Sequence, residues 1–599
     1  MCLYLRTLID QKSIAVLPFE NLSSDPENEY FSDGMTEEII NALTRIEGLK
    51  VTARTSAFVF KGVKEDIRII GNKLGVASVL EGSIRKSGNR VRITAQLIRT
   101  DNGFHLWSES FDRELSDIFA LQDEISLLIA DKIREDFGHM EIQEQLVDAK
   151  TQNQQAYEVY LKGVHHFKRK DLEDIKSALA LFEESARLDP LFSEAWAYIA
   201  ETYMHYTGFN LINPVEGMTL AREMAQKALE INPKEPRAHK ALAFIHLFYD
   251  RHWKEAITSY NQAITHGYQA DNDFVSYYYI FIEKDYELAI KVARQSVDRD
   301  PLHAITHWQL GLCYYFAQQF EPALQAFEQS LKLDPEYGEA LRWKGLVLGY
   351  LGRFEEGLTL IDQALEITNH GELAVLDRFA VRILSGETGG IVDEIAAGTY
   401  MDPCDPARLY SIMDRPDLAI DCLKKGIAEN SMMLVTLKHW WVWDNIREAD
   451  GFQEIYDQLN FTEHKSHKAD DQSALLVTPS HNSLSEKEIT QILGWLQEQI
   501  KHPPVVMDHN LTLRTLADRM GVHPNKLSWV LNEKVGKNFN EYINELRLDI
   551  FQQKALDPAN SHLSILGLAY ESGFTSKTVF NNFFKKKMGV TPKQWLKRQ

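Results

Sequence analysis

The sequence predicts a multidomain protein with an α+β domain first, an all-α repeat region next and an all-α C-terminal region last. Three observations support this division. Residues 13–138 mix short alternating apolar runs with helical spacing, residues 157–460 repeat with a period of 34, and the last 113 residues differ in charge from the rest. A chain of 599 residues is also too long for one hydrophobic core.

The first region reads as an α+β domain over residues 13–138. Ser13 to Phe19 (SIAVLPF) and Leu49 to Thr52 are predicted strands, and Met35 to Ile46 and Ile67 to Leu74 are predicted helices. We expect Asp33 to cap the first helix, which would place Glu37 and Glu38 in its first turn. A catalytic carboxylate pair at these positions is the less favoured alternative.

A hairpin is predicted around Ser87 to Asn89, because apolar and polar residues alternate in the run that follows it. Val91, Ile93, Ala95 and Leu97 should face the core, and the residues between them should face water. Phe104 to Phe111 is predicted as another strand, and Asp117 to Ile133 as a closing helix.

Several segments of this region resemble the TolB-like domain of bacterial signalling proteins. They are Ser13 to Phe19, Tyr30 to Glu38, Leu80 to Ser83, Arg92 to Leu97 and Leu106 to Glu109. In that family the domain is fused to cyclases, kinases or DNA-binding domains and is usually followed by helical repeats. The resemblance implies a bacterial signalling protein and implies no catalytic role.

The second region, residues 150–462, repeats with a period of 34. Ala289 and Ala323, Pro301 and Pro335, Gly311 and Gly345, and Phe320 and Phe354 are each 34 apart. This period is the signature of tetratricopeptide repeats, in which small residues let paired helices approach and proline ends the second helix. Pro190 and Pro233 are 43 apart, so an insertion near Gly208 to Val215 lengthens one unit.

The end of the repeat region is predicted to act as a cap. Trp440, Trp441 and Trp443 are expected to cover the exposed end of the solenoid, with a ligand cage as the alternative. His303 and His307 are expected to pack between repeats, with a metal site as the alternative. We expect residues 463–486, rich in polar residues, to be a linker.

The third region, residues 487–599, contains two predicted helix-turn-helix units. In the second, Ile565, Leu568 and Ala569 have helical spacing, Gly573 allows a turn, and Thr575 or Ser576 can cap the next helix. That helix is predicted to bury Val579, Phe580, Phe583 and Phe584. A buried helical hairpin without DNA contact is the alternative for one such unit alone.

An upstream copy repeats this arrangement. Leu513, Leu516 and Ala517 precede Gly521, and the following helix is predicted to bury Leu527, Val530 and Leu531. The helix from Asn540 to Leu556 is the predicted connector. Two such units at this distance favour DNA binding, in which the second helix of each unit enters the major groove.

The second unit resembles the AraC/XylS-type transcription regulators. The matching positions are Ile565, Leu568-Ala569, Gly573-Phe574, Phe580, Phe584-Lys585-Lys586, Gly589 and Thr591-Pro592. Val579 and Leu596 depart from the family pattern. The resemblance implies two helix-turn-helix units joined by a long helix, and therefore sequence-specific binding of double-stranded DNA.

The polar residues left outside the predicted cores are the candidates for DNA contact. For base contacts they are Asn525, Lys526, Ser528 and Trp529 in the first unit and Lys577, Thr578, Asn581 and Asn582 in the second. For phosphate contacts they are Lys585, Lys586, Lys587 and Lys593, although a solvated helix end is the favoured interpretation of the first three taken alone.

The charge distribution agrees with a nucleic-acid-binding C-terminal region. Residues 487–599 hold 16 Lys and Arg against 10 Asp and Glu, a net charge of +6. The whole chain carries −21, so the remaining residues carry −27. Because phosphate contacts supply most non-specific affinity, a basic module on an acidic chain is typical of a DNA-binding part.

Other classes of function find less support. No phosphate-binding glycine loop, HExxH, GxSxG or paired CxxC is present, so neither an enzyme nor a cofactor or metal site is predicted. Four scattered cysteines indicate a reducing compartment, and no apolar run is suited to a membrane, so we expect a cytoplasmic protein.

The sequence therefore predicts a transcription regulator whose first two regions sense or dock a ligand or a partner protein. A peptide or protein partner is expected in the repeat groove. A homodimer is left open, because two reading units in one chain suffice for binding. The alternative is a repeat-based scaffold in which DNA contact is secondary.

Overall fold

The computed structural model describes residues 9–169, 172–208, 211–268, 273–367, 371–387, 389–400, 402–459, 461, 484–498 and 503–599. The predicted linker, residues 463–486, lies almost wholly outside the described residues. Among the described residues, no helix is both long and apolar enough to cross a membrane.

The N-terminal region is built on a mixed sheet of six strands in the order β3-β1-β4-β5-β6, with β2 added beside β4. The pairs β1–β3 and β1–β4 are parallel, whereas β4–β5 and β5–β6 are antiparallel. The strands are β1 Ser13–Val16, β2 Glu20–Asn21, β3 Lys50–Val51, β4 Ser78–Ser87, β5 Arg90–Arg99 and β6 His105–Glu114.

The predicted hairpin is present. Strands β4 and β5 pair along their full length, from Ser78 opposite Arg99 to Ser87 opposite Arg90. Val91, Ile93, Ala95 and Leu97 are all fully buried, as the alternating pattern indicates. The chain turns at Gly88, whose φ of 56° is in the left-handed region that favours glycine.

Four helices accompany the sheet. They are α1 Glu29–Thr44, α2 Arg54–Phe58, α3 Ile67–Leu74 and α4 Ile118–Phe137. Helix α4 is the predicted closing helix, and it places Leu121, Ile125 and Ile129 in the core of the sheet. Its C-terminal turn reaches beyond the core, where it meets the C-terminal region.

The prediction for Asp33 is wrong. Helix α1 begins at Glu29, so Asp33 lies inside it and is buried, and Glu37 and Glu38 lie beyond its first turn. The Asp33 carboxylate instead accepts two hydrogen bonds from the Lys61 ammonium, at 2.6 and 2.8 Å. The start of α1 was missed because the polar residues before Met35 carry no apolar periodicity, although tertiary packing buries them.

The middle region is a solenoid of antiparallel helix pairs. Its helices are α5 Gln154–Phe167, α6 Leu172–Leu188, α7 Ser193–Gly208, α8 Pro214–Ile231, α9 Pro236–Phe244, α10 Trp253–Thr265, α11 Asp273–Tyr278, α12 Tyr286–Arg299, α13 Ala304–Phe316, α14 Phe320–Leu333, α15 Gly338–Tyr350, α16 Phe354–Ile367, α17 Gly371–Leu384, α18 Ile391–Ala397, α19 Asp405–Ile412, α20 Pro416–Ala428 and α21 Phe452–Asp457.

Small residues allow the paired helices to approach closely, as the period of 34 predicts. A Cβ atom on Gly311 of α13 would lie only 2.4 Å from the ring of Phe327 in α14. No side chain larger than hydrogen fits there unless the helices separate. Gly345 and Gly357 make a similar approach between α15 and α16, where a Cβ on Gly345 would lie 2.7 Å from the Gly357 carbonyl oxygen.

The tryptophan cluster packs against the repeats. Trp443 is fully buried and donates a hydrogen bond from Nε1 to the Thr436 hydroxyl at 3.1 Å. The Trp440 ring lies 5.4 Å from that of Phe316, and the Trp441 ring lies 5.0 Å from that of Tyr350. The segment 432–446 therefore packs back over α13 and α15, which are earlier repeats than a cap at the end of the solenoid would contact.

The two histidines of the α13 turn serve local packing. His303 Nδ1 lies 3.1 Å from the Asp300 carboxylate, and His307 Nε2 lies 3.0 Å from the Pro301 carbonyl oxygen. These contacts order the loop between α12 and α13.

The N-terminal region contacts the solenoid at two separate places. Helix α1 packs on α5, and the α2 segment meets the loop after α12, where the Ser56 amide donates to Asp300 at 2.9 Å and the Ala53 amide donates to the Arg299 carbonyl at 2.8 Å. Between these contacts lies a cleft of about 2370 Å³. Charged residues in it pair across the two regions, as Lys150 does with Glu38 at 2.9 Å.

The C-terminal region is entirely helical. Its helices are α22 Glu486–Glu498, α23 Pro503–Val506, α24 Leu513–Met520, α25 Pro524–Val530, α26 Phe539–Leu556, α27 Ile565–Glu571, α28 Lys577–Met588 and α29 Pro592–Leu596. Helix α26 is the predicted connector, and it begins one residue earlier than expected.

Glu235, a residue that lines the cleft, has a buried carboxyl group whose pKa is raised. It lies at the N-terminus of α9, is 2% exposed and accepts a hydrogen bond from Ser193. Burial, and then the nearby Glu194, raise its pKa from 4.5 to about 7. The folded protein therefore holds this proton more tightly than the unfolded chain, and stability contributed below pH 4.5 is lost as the pH rises to about 7.

We expect Glu235→Gln to remove this loss, which is on the order of 3 kcal/mol for a shift of this size. The midpoint of thermal unfolding should then fall less between pH 4.5 and 7.5 than it does in the wild type. Glu230→Gln, at an exposed glutamate of α8, is the matched control and should retain the wild-type pH dependence. Parallel pH profiles for the wild type and Glu235→Gln would contradict the assignment.

Candidate nucleic-acid interface

The first helical hairpin consists of α24 and α25. Thr512 caps α24 by a reciprocal capping box with Thr515, and Gly521 ends it with a φ of 65°. Leu516, Leu527 and Val530 are fully buried between the helices. The short turn and the buried face give the helix-turn-helix arrangement that the sequence predicts.

The second hairpin consists of α27 and α28. The Ser564 and Ser576 side chains cap the two helices, and the turn between them passes through Gly573 with a φ of 96°. A Cβ atom on Gly573 would lie 2.8 Å from the Met507 Cα, so glycine is required by the close approach as well as by the backbone angle. The rings of Phe574, Phe580 and Phe584 form its core.

Helix α26 joins the two hairpins and contributes to both cores. Ile543 packs in the first core, and Phe551 lies 4.7 Å from Phe580 in the second. Between them the Arg547 guanidinium is buried and donates to the Val506 and Asp508 carbonyl oxygens, each at 2.9 Å. Burial lowers the pKa of Arg547 to about 10.

The polar residues predicted on the second recognition helix lie at its surface. Lys577, Thr578 and Asn582 are exposed, and Asn581 is half-buried. Val579 is 40% exposed, so the prediction that it lies in the core is wrong. It shares the face of Thr578 and Asn582, because the phenylalanines at 580, 583 and 584 already fill the buried side.

The first recognition helix is less accessible than predicted. Lys526 is exposed and pairs with Glu488 at 2.6 Å, and Trp529 is half-buried. Ser528 is 2% exposed, so the prediction that it faces outward is wrong. It lies on the inner side of α25 next to Leu527, a position that helical spacing by itself assigns ambiguously at the edge of an apolar face.

The predicted phosphate-contacting lysines fall into two groups. Lys585 and Lys593 are exposed. Lys586 pairs with Glu541 of α26 at 3.0 Å, and Lys587 pairs with Glu545 of the same helix. Since these two ammonium groups have carboxylate partners, a phosphate would have to compete for them.

Asn525 is held by the N-terminal region. Its carboxamide oxygen accepts a hydrogen bond from the Arg134 guanidinium, and its nitrogen donates to the Glu141 carboxylate at 2.7 Å and to the Ile142 carbonyl at 3.1 Å. No sequence pattern indicates these partners, because they lie more than 380 positions away in the chain.

Further contacts surround this one. The Leu513 amide donates to Glu135 at 2.8 Å, and Arg514 pairs with Asp131 at 2.9 Å. On the connector helix side, Asn538 donates to the Asp136 carbonyl at 2.9 Å and Asn540 donates to its carboxylate at 3.0 Å. The C-terminal turn of α4 therefore lies against the first hairpin.

Another cluster of polar residues lies in the solenoid. His246, Asp250 and His252 place potential metal ligands within 4.8 Å of one another. However, the Arg222 guanidinium binds both oxygens of Asp250, at 2.6 and 2.8 Å. A cation there would face this positive charge at close range, so the arrangement serves as an ion pair that joins two helices.

Three segments of the chain match known families. Residues 516–598 match the model of a helix-turn-helix domain, and residues 304–337 match the tetratricopeptide repeat. Residues 10–128 match the second domain of HilA/YgeH-like transcriptional regulators. The C-terminal AraC-type unit and the repeats are thus confirmed, whereas the TolB-like resemblance stays a prediction.

Three curated relatives are each similar to part of the chain. "Putative adenylate cyclase 3" of Rhizobium meliloti (strain 1021) is 37% identical over 233 residues, 39% of each chain. "Transcriptional regulator HilA" of Salmonella paratyphi A is 22% identical over 311 residues, 51% of this chain and 54% of that one. "Probable transcription factor PqrA" of Proteus vulgaris is 27% identical over 109 residues, 18% of this chain and 83% of that one.

The chain thus spans 39% and 54% of the length of the first two of these relatives. Among solved structures, the tetratricopeptide protein YrrB is 20% identical, covers 32% of this chain and 95% of its own, and gives a TM-score of 0.23. This score is low, so the repeats are assigned from their helices and from the family match.

The phenylalanine core of the second hairpin can be tested by truncation. Phe584 is fully buried against Phe551, Phe580 and Trp595, so Phe584→Ala should destabilise this hairpin by about 3–5 kcal/mol. Hydrogen exchange of residues 565–596 in the full chain would measure the loss. Val579→Ala is the control and should cost less than about 0.5 kcal/mol, because its side chain is largely exposed. Equal exchange in the two variants would contradict this core assignment.

Proposed function

We propose that the chain is a sequence-specific, DNA-binding transcription regulator. The observation that carries this proposal is the exposed polar face of α28, which rests on a buried phenylalanine core and belongs to a basic C-terminal region. A recognition helix must present polar side chains to base edges without moving when it binds. The matches to a helix-turn-helix domain and to a regulator domain support the same function.

The reading residues of the second unit are Lys577, Thr578, Asn581 and Asn582. Lysine and asparagine can bind the major-groove edges of guanine and adenine, and threonine can contact either. Val579 shares the exposed face and can pack on a thymine methyl group. Lys585 and Lys593 then neutralise phosphates and fix the position of the helix.

The N-terminal region and the solenoid regulate this activity through binding rather than catalysis. In the described part of the chain, the conspicuous carboxylates of α1 are engaged in ion pairs, such as Glu37 with Lys168 at 3.0 Å. The repeats support a role in docking a protein partner, and the cleft of about 2370 Å³ is larger than a typical small-molecule site. A regulator of bacterial genes acts in the cytoplasm.

Selection from a random pool of DNA duplexes by the full chain tests this function. We expect a defined motif to be enriched at near-physiological salt. Asn582→Ala should relax the preference at one base pair and weaken binding to the motif by about 1–3 kcal/mol. Gln553→Ala, at an exposed polar residue of α26, should leave the motif unchanged. Salt-sensitive binding with no enriched motif would favour the scaffold alternative.

Lys585 should contribute equally to the affinity for every DNA sequence. Lys585→Ala is expected to weaken binding to the selected motif and to unrelated duplexes by the same factor, because a phosphate contact carries no sequence information. The slope of log affinity against log salt should become shallower by about 0.9 for the one lost contact. Fluorescence anisotropy over a range of NaCl concentrations measures both quantities. A loss confined to the selected motif would show that Lys585 reads a base.

A further inference from the structure

The two recognition helices differ in how their first turns are covered. Thr578 is the second residue of α28 and is exposed. Asn525 is the second residue of α25, and its carboxamide is bound on both sides by Arg134, Glu141 and Ile142. The N-terminal residues of a recognition helix are the ones that reach base edges in a helix-turn-helix complex. One helix is thus open at this position and the other is closed.

We propose that the last two turns of α4, residues 131–137, and the segment 138–142, together called the α4 clamp, hold the first helix-turn-helix unit off DNA. This inference rests on the proposed function and concerns the regulation of the same site. The full chain then binds DNA through its second unit alone until the clamp opens.

The hydrogen bonds of Asn525 make the clamp and DNA mutually exclusive. A neutral carboxamide offers one acceptor oxygen and two N–H donors. In the clamp the oxygen accepts from Arg134, and the nitrogen donates to Glu141 and Ile142. A bidentate contact with adenine needs the same oxygen and nitrogen, so the clamp must release them before a base can bind.

The charge of the clamp opposes DNA in the same way. Its carboxylates at Asp131, Glu135, Asp136 and Glu141 each contact the first unit or the start of α26. A duplex lying along α25 would bring phosphates to this side of the unit. With Lys132 and Arg134 counted against these four carboxylates, residues 131–142 carry a net charge of −2, which repels a duplex that approaches α25.

The α4 clamp and the first helix-turn-helix unit are closely packed at Gly138 and Arg134. Gly138 ends α4 with a φ of 104°, and a Cβ atom at this position would lie 2.7 Å from the Asn532 side-chain oxygen. The Arg134 side chain is 1% exposed, although it lies at the end of a surface helix. Both features require the first unit to be in place against the clamp.

The test compares two double variants of the full chain that remove the same charge. Asp136→Ala with Glu141→Ala deletes two clamp contacts to the first unit. Glu124→Ala with Glu144→Ala deletes one acidic residue of α4 and one of the following segment that lie outside the contact, since Glu124 pairs with Arg113 and Glu144 is exposed. None of the four residues belongs to the DNA-reading set.

The probe is a random-sequence duplex pool of about 30 base pairs, long enough for two units one helical turn apart. Anisotropy titrations at several NaCl concentrations give affinity and salt slope. We expect the clamp variant to bind at least about fivefold more tightly than the wild type, the lower end of usual coupling between protein sites, and with a steeper salt slope. The control should bind like the wild type apart from the small effect of net charge that it shares with the clamp variant.

Hydrogen exchange without DNA provides a second readout. Residues 513–530 should exchange faster in the clamp variant than in the control, because the amide of Leu513 loses protection when the Glu135 carboxylate moves away. Equal affinities, salt slopes and exchange rates in the two double variants would overturn the clamp and leave the DNA-binding function intact. If no variant binds DNA at any salt concentration, the proposed function fails and the clamp fails with it.

Discussion

The buried guanidinium of Arg134 connects the two ends of the chain. It belongs to the N-terminal region through its ion pair with Asp131, and it reaches the C-terminal region through Asn525. Burial lowers the pKa of this group, and the neighbouring carboxylates oppose that shift. A buried charge of this kind is strongly destabilising without its partners. The arrangement of the first unit therefore depends on a polar contact whose partners come from both regions.

That contact gives two similar hairpins in one chain different surroundings. Both have an N-capped recognition helix, a left-handed glycine in or just before the turn and an apolar core shared with α26. They also differ in what lies outside the core. The second hairpin faces solvent, and the first faces an acidic helix end. The two hairpins share the helix-turn-helix arrangement and differ in how accessible their recognition helices are.

In the solenoid, too, other parts of the chain cover surfaces that the repeats by themselves would expose. Segment 432–446 already covers part of the repeat surface, where the Trp441 ring lies 5.0 Å from that of Tyr350. The N-terminal region contacts α5 and the loop after α12, and between these points lies a cleft with charged walls. Both regions therefore form this cleft, and neither forms it by itself.

The sequence by itself determined the elements with strong local patterns. The alternation from Val91 to Leu97, the 34-residue spacing of Gly311 and Gly345, and the paired hairpins around Gly521 and Gly573 are all set by short-range periodicity and by backbone angles that favour glycine. Those signals are sufficient because the physical cause, a buried face or a tight turn, acts within a few residues.

The tertiary structure alone decided what covers each face. Asp33 lies inside a helix because Lys61, from a different segment, provides a partner for its charge. Ser528 is buried because it lies on the inner side of α25, next to Leu527. Val579 is exposed because the phenylalanines at 580, 583 and 584 occupy the buried side of α28. Asn525 is occupied because residues 134–142 lie beside it in space, although hundreds of positions separate them in the chain. Periodicity reports which face of a helix is apolar, but only the packed structure shows which polar groups have been left for DNA.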